Sequence, residues 1–217
     1  MEIFEKCLVE NCENNAHSKS RGEKGYCSRH YAQINQNGKI LKRTRFDPNE
    51  IIDCGNYYEI CLYSGCGEQK EVARAEIDKE DLEKVKSYKW HLMVVNTGGK
   101  YVISGKDRLL LQHLIMGKPP IGYLIDHQDT NPLNNRKYNL RFATPSQNGM
   151  NKKNVKGITW DKNRKKWMSH IKINGKYIYL GRFDDKQIAI KIRKEAEQKY
   201  FGEFAYKEPT NAEIKNN

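Results

Sequence analysis

The chain lacks any apolar run approaching the roughly 18 to 20 residues that a bilayer-spanning helix needs. Its first residues, MEIFEKCLVENCEN, place acids where a secretory leader requires a basic start and an apolar stretch. The expectation is a soluble intracellular protein with no membrane association. There is no internal repeat and no low-complexity tract beyond the polar tail 210–217, which is expected to fray. Acidic residues are also short: Asp plus Glu number 27 against 39 Lys plus Arg, a net charge of +12. That deficit favours a polyanionic partner, nucleic acid ahead of an anionic membrane, and offers nothing that marks a protein partner. Sixteen of the basic residues and only six acids lie in 152–207, a net of +10, while residues 1–46 carry +4 and the middle is slightly acidic.

What is present divides into modules. At 217 residues the chain can hold two or three small domains, and small domains bury too little surface to be comfortably stable unaided. The six cysteines are read first as metal ligands, because an intracellular compartment disfavours structural disulfides. Cys7, Cys12, Cys27 and His30 are spaced C-x4-C-x14-C-x2-H, two ligand pairs separated by a loop, as a closed tetrahedral Zn²⁺ site requires. Such a site supports folding and leaves no position for a catalytic water. His17, inside the loop, competes with His30 as fourth ligand, although Cys27-x2-His30 has the better pair spacing. Cys54, Cys61 and Cys66 have no neighbouring His and read as small buried hydrophobes.

Between Asp47-Pro48 and the Asn/Lys stretch 148–154, residues 56–63, 72–77 and 101–104 have the β-branched and aromatic content of short strands, and a helix is predicted over 78–88. No chemistry attaches to 50–105. Beyond 155, GITW, KWMSHIKI and KYIYLGRF read as three strands, with Asn174-Gly175 between the last two as a strong hairpin signal. Asp184 or Asp185 can then cap a helix in which Ile188, Ala189, Ile192, Ala196 and Tyr200 recur at helical spacing, ended by Gly202.

In LLLQHLIMGKPPIGYLIDHQDTNPLNNRKYNLRFATPSQNGMNKK, a short apolar run ends in Asp126 and His127, and Thr144-Pro145 opens a helix that carries Asn148. A hard divalent cation takes oxygen ligands, which Asp126 and Asn148 can supply. His127, with an ordinary pKa near about 6.5, is then free to take a proton from water. The segment resembles the HNH endonucleases. The resemblance implies a ββα-metal fold holding Mg²⁺ or Mn²⁺, with His127, Asn139 and Asn148 as the three motif positions and Asn139 as the residue that braces the loop holding the histidine. The last position is Asn where many members carry His. It also implies hydrolysis to 5′-phosphate and 3′-hydroxyl ends. Arg136 and Arg141 are expected to meet phosphate. His113 is read as a packed histidine on an apolar segment, with a catalytic role as the alternative. The CSRHYAQINQNGK stretch is similar to a zinc module that precedes HNH domains in phage-type nucleases.

KGITWDKNRKKWMSHIKINGKYIYLGRFDDKQIAIKIRKEAEQKYFGEFA resembles an AP2 domain, whose sheet lies in the DNA major groove. Alternation turns Trp167, Ile171, Ile173, Ile178 and Leu180 toward the helix. It leaves Lys166, Met168, His170, Lys172, Tyr177 and Tyr179 on the outer face. The family's DNA contacts match Lys156, Thr159, His170, Lys172, Tyr177 and Tyr179, and Trp160 is expected in the core. The whole reads as an α+β protein: zinc module 1–46, HNH nuclease domain with a preceding β-rich region 47–153, AP2-like domain 154–207 and tail 208–217. It is similar to phage or intron-type homing endonucleases acting on double-stranded DNA in a phage-encoded or bacterial cytoplasmic setting. The alternative is a DNA-binding regulator with an inactive HNH core. An RNA-processing nuclease is disfavoured, because a major-groove reader suits B-form DNA.

Overall fold

The structure is a computed structural model that describes residues 6–10, 12–16, 25–65, 67–105, 107–152 and 157–207. Two compact units divide the chain: 1–48 with 63–72, and 49–62 with 73–217. Lys153, Asn154 and Lys156, together with His17, Cys66 and the tail 208–217, lie outside the described residues.

Among its described residues the first unit has little apolar core. A turn closed by Cys7 N–H to Asn14 O (3.0 Å) and Leu8 N–H to Gly25 O (2.6 Å) precedes helix α1, Ser28–Asn37. Gly38 ends that helix in the left-handed region (φ 69°), its N–H returning to Ile34 O. Asp47 then ties the following segment back to the helix by accepting from Arg29 at 2.6 Å and from Thr44 N–H at 2.7 Å. Burial alone would raise the Asp47 carboxyl; these bonds outweigh it and hold the group at about 2.

The second unit begins with a three-stranded sheet of order β1 (Ile51–Asp53), β2 (Tyr57–Ser64) and β3 (Lys70–Asp78), the β2–β3 turn belonging to the first unit. A 3-10 turn, Lys79–Asp81, leads into the short helix α2, Leu82–Val85. The antiparallel hairpin β4 (Trp90–Val94) and β5 (Lys100–Ser104) follows, then α3, Leu111–Met116. Ile60, Leu62, Ala75, Ile77, Val85, Trp90, Val102, Leu111, Ile115, Ile125 and Leu140 form one buried cluster. The stretch without assignable chemistry is therefore the main apolar support of the chain. Trp90 is fully enclosed and donates its indole N–H to Val85 O at 3.0 Å, so its polar edge is satisfied. Cys61 is buried in β2 and Cys54 partly buried beside β1.

β6 (Leu124–His127) and β7 (Leu140–Ala143) pair antiparallel with Asp126 opposite Arg141 and His127 opposite Leu140. Helix α4, Pro145–Met150, follows, and Thr144 with Gln147 closes a capping box at its start. This is a ββα unit. Last come β8 (Ile158–Asp161), β9 (Lys166–Ile173) and β10 (Lys176–Phe183), in the order β10-β9-β8, and α5, Lys186–Phe201. Asn174 (φ 47°) and Gly175 (φ 81°) are both left-handed, the backbone of a tight primed turn.

Three expectations are revised. The helix over 78–88 is only the 3-10 turn and one α turn. The buried stripe of α5 is Ala189, Arg193 and Ala196, whereas Ile188 and Tyr200 are exposed. Two alanines let the helix approach the sheet closely, and Arg193 is tolerated there because it donates to His170 O (2.9 Å) and pairs with Glu197 (2.7 Å). Trp160 is 43 % exposed rather than in the core, packed by one face on Trp167 with centroids 5.1 Å apart.

Gly157 and Gly175 make a controlled comparison. Both have positive φ, but a Cβ at Gly157 would lie 2.2 Å from His170 O, whereas one at Gly175 meets nothing within 4 Å. Gly175→Ala should cost about 1–2 kcal/mol of backbone strain, and Gly157→Ala clearly more, because β9 must also move. Chemical denaturation of the two variants checks the order.

Candidate active site

The end of β6 with the turn that follows it, the C-terminal end of α4 and the turn between β4 and β5 surround a cleft of about 350 Å³. Asp126, His127 and Asn148 all line it, together with Asn151, Thr130 and Gln112. Asn151, just beyond α4, is a residue that motif reasoning passes over. It is 4 % exposed, and its Nδ2 donates to both Asp126 oxygens at 3.2 Å and to His127 O at 2.8 Å. Its Oδ1 is buried and has no partner. A signal existed: Asn151 stands three positions after Asn148, a spacing that puts two side chains on one helical face.

Asp126 is 5 % exposed. Arg141, directly across the strand pair, donates Nε at 2.9 Å and Nη2 at 2.8 Å to Asp126 Oδ2. Among the described residues Oδ1 receives only the Asn151 amide, so the two carboxylate oxygens are unequal: Oδ2 takes three donors, and Oδ1 keeps acceptor capacity. A buried carboxylate, an amide oxygen on Asn148 and an orphaned amide oxygen on Asn151 in one cleft form a hard-oxygen set that fits a divalent cation.

His127 closes β6. Asn135 donates its Nδ2 to Pro132 O (3.1 Å) and Leu133 O (3.2 Å), which leaves Oδ1 as the group facing His127 Nε2 at 3.3 Å. An amide oxygen only accepts, so Nε2 carries the proton and donates, and Nδ1 keeps its lone pair. Burial lowers the His127 pKa, opposed by the Asn135 bond and by the Asp129 and Asp126 charges. Thr130, a β-branched residue at φ 63°, returns its N–H to His127 O at 2.9 Å, so the turn after the histidine holds a strained residue.

Among the described residues the Asn139 side chain bonds to none of Asp126, Asn148 and His127. It is 2 % exposed, accepts from Asp129 N–H (3.0 Å) and donates to Asp129 Oδ1 (2.9 Å) and Asn134 O (2.8 Å). The loop 128–139 is thereby closed on itself. The two arginines expected at phosphate are committed internally. Arg136 Nε donates to Asp78 at 3.0 Å, and its guanidinium lies over the Tyr57 and Tyr138 rings. Arg141, 13 % exposed as a side chain, is held by Asp126 and by Glu203 O. From α3 it is Gln112, not His113, that lines the cleft; His113 is partly buried and its pKa is lowered by that burial.

A separate cluster sits in the first unit. The ligand atoms of Cys7, Cys12, Cys27 and His30 all lie within 4.8 Å of one another. Cys7 Sγ to His30 Nδ1 is 3.2 Å, Cys27 Sγ to His30 Nδ1 3.5 Å, and Cys12 Sγ to Cys27 Sγ 3.9 Å. Edges of roughly 3.5–3.8 Å follow from tetrahedral bonds of about 2.0–2.3 Å to zinc, so the cluster fits that ion. Cys27 N–H donates to Cys7 Sγ at 3.3 Å.

On the C-terminal sheet, Tyr177 and Tyr179 are 68 % and 54 % exposed. They pair with Lys172 and His170, and Thr159 pairs with Met168. A bulge between Tyr179 and Gly181 resets the alternation, so Arg182 lies opposite Met168. Arg182 then stacks over the Tyr179 ring (5.2 Å) and pairs with Asp161. The strand pattern read without a bulge does not find it.

The family model for HNH endonuclease matches residues 113–150. The uncharacterized HNH endonuclease L560 of Acanthamoeba polyphaga mimivirus is 33 % identical over 174 residues, which cover 77 % of this chain and 89 % of that protein. The chain belongs to the HNH endonuclease family. It is thus an HNH nuclease, a hydrolase acting on phosphodiester bonds. Protein 3.8 of Escherichia phage T7 is 42 % identical over 67 residues, 28 % of this chain and 55 % of the phage protein, so the match spans about half of that relative's length. No solved structure matches the chain. Among the described residues no helix is long and apolar enough to cross a membrane.

Removing the Asn139 side chain leaves Asp129 N–H and Asn134 O, both inside the loop, without their partners. Asn139→Ala should destabilise the HNH nuclease by about 2–4 kcal/mol, measured as a shift in the denaturation midpoint.

Proposed function

We propose that the protein is a site-specific, metal-dependent DNA endonuclease of homing type. In this reading a zinc-stapled module (1–46) and an AP2-like recognition domain (154–207) flank the nuclease domain (47–153), with 208–217 as a tail. The observation that carries it is the convergence of Asp126, His127 and Asn148 on one cleft of a ββα unit.

Asp126 and Asn148 would hold Mg²⁺ or Mn²⁺, which when bound supplies positive charge against the scissile phosphate and the departing oxygen. His127, its Nε2–H anchored on Asn135, presents the Nδ1 lone pair to a water molecule. The water proton goes to Nδ1, the oxygen attacks phosphorus in line, the bond from phosphorus to the 3′ oxygen breaks, and that oxygen takes a proton from solvent. A 5′-phosphate and a 3′-hydroxyl result. Asn139 is a bracing residue, holding the loop that carries Asn135. Cys7, Cys12, Cys27 and His30 would take Zn²⁺ purely for folding. Thr159, His170, Lys172, Tyr177 and Tyr179, joined by Arg182, form the DNA face, for which the exposed aromatics and the +10 charge of 152–207 are the support. Lys156 belongs to the same reading by family resemblance.

Plasmid nicking with and without Mg²⁺ tests the activity. Cation-dependent nicking should appear and fall by about a hundredfold or more in His127→Ala; equal rates would remove the histidine from the chemistry. Binding without cutting by the parent chain would favour the regulator with an inactive core. Elemental analysis after dialysis should find one zinc per chain, absent from Cys27→Ser. On the sheet, Lys172→Gln should reduce the slope of log affinity against log salt by about one, the mark of a lost phosphate contact.

A further inference from the structure

Arg141 stands between two parts of the chain that sequence reasoning separates. Its Nε and Nη2 fork onto Asp126 Oδ2 at 2.9 and 2.8 Å. Its third donor, Nη1, reaches 2.5 Å from the backbone oxygen of Glu203, in the 3-10 turn Gly202–Phe204 that ends α5. The Phe204 ring lies under the guanidinium, 4.4 Å from it to the centroid. A planar guanidinium bonded on one edge to the site carboxylate and on the other to the recognition module, with an aromatic covering its face, has little freedom to turn. Both charges are nearly buried, at 13 % and 5 % side-chain exposure, so each further hydrogen bond to the guanidinium supports the pair. Glu203 O takes one hydrogen of Nη1, and no other acceptor for Nη1 stands among the described contacts.

We propose that Arg141 is a positioning residue that transmits the seating of the C-terminal domain to the catalytic carboxylate. The Gly202–Phe204 turn fixes the guanidinium, the guanidinium fixes Oδ2, and Oδ1 is thereby presented to the cleft. The nuclease site is complete only when the recognition domain is docked on it. This rests on the reading of Asp126 as a site residue, and the test separates the two.

The full-length protein is compared with Phe204→Ala, Arg141→Lys and Tyr200→Ala, the last an exposed α5 position serving as control. Two quantities are measured: the side-chain carboxyl ¹³C signal of Asp126, assigned through Asp126→Asn, and kcat and KM for plasmid nicking with Mg²⁺. In Phe204→Ala and Arg141→Lys the Asp126 signal should move and kcat fall by about threefold or more, with KM for DNA within about twofold. Tyr200→Ala should change neither. An unmoved Asp126 signal in Phe204→Ala overturns the proposal, as does a moved signal with parental kcat. If the signal moves while no variant, parent included, cuts DNA, the linkage stands and the nuclease reading is what fails.

Discussion

The Asp129 carboxylate is the hub on which the site depends. The segment joining β6 to β7 has only isolated turns of backbone bonding, and Asp129 ties them together: Oδ1 accepts from Asn131 N–H (2.7 Å) and Asn139 Nδ2 (2.9 Å), Oδ2 from Asn134 Nδ2 (2.8 Å). Asn135 is fixed because the loop is fixed, and His127 keeps its tautomer because Asn135 has no alternative orientation. An Asn-rich loop suits this task, since each amide offers donor and acceptor together and tolerates irregular backbone.

The same loop is anchored from outside by the β-rich region. Glu76 N–H donates to Leu133 O at 2.8 Å, Asn135 N–H to Glu76 O at 3.0 Å, and Asp78 accepts from Arg136 and from Lys137 N–H (2.7 Å). Glu76 lies close to Asp129 and Glu59, and burial raises its carboxyl despite Arg136. The segment that suggested no chemistry is thus both the largest apolar core and the outer wall of the loop. Where such a core is missing, in the first unit, four clustered metal-type ligands stand in its place.

How much of this could be read from sequence follows the range of each interaction. Local patterns were legible: the Asn174-Gly175 hairpin, the Thr144-Pro145 helix start, the C-x4-C-x14-C-x2-H spacing and the Asp126-His127 pair each depend on neighbours in the chain. Partners were not. Arg141 reads as a free cation until β6 and β7 are put in register, and only then does Asp126 stand opposite it. Asn135 sits among many asparagines, and nothing local singles out the one whose amide is turned by two carbonyls. Strands β1 and β4 were missed because three and five residues show too little alternation to separate from a loop.

The bulge between Tyr179 and Gly181 divides the labour of β10. Without it Arg182 would be turned toward α5, and Phe183 outward, away from the cross-strand partner Trp167 that it now faces. With it, the packing side of the sheet, Trp167, Ile171 and Phe183 against Ala189 and Ala196, shares no side chain with the solvent side. The two surfaces can therefore drift independently over generations. A lineage could exchange His170, Tyr177 or Arg182 one at a time, changing the chemistry of the solvent side without passing through a form that fails to fold.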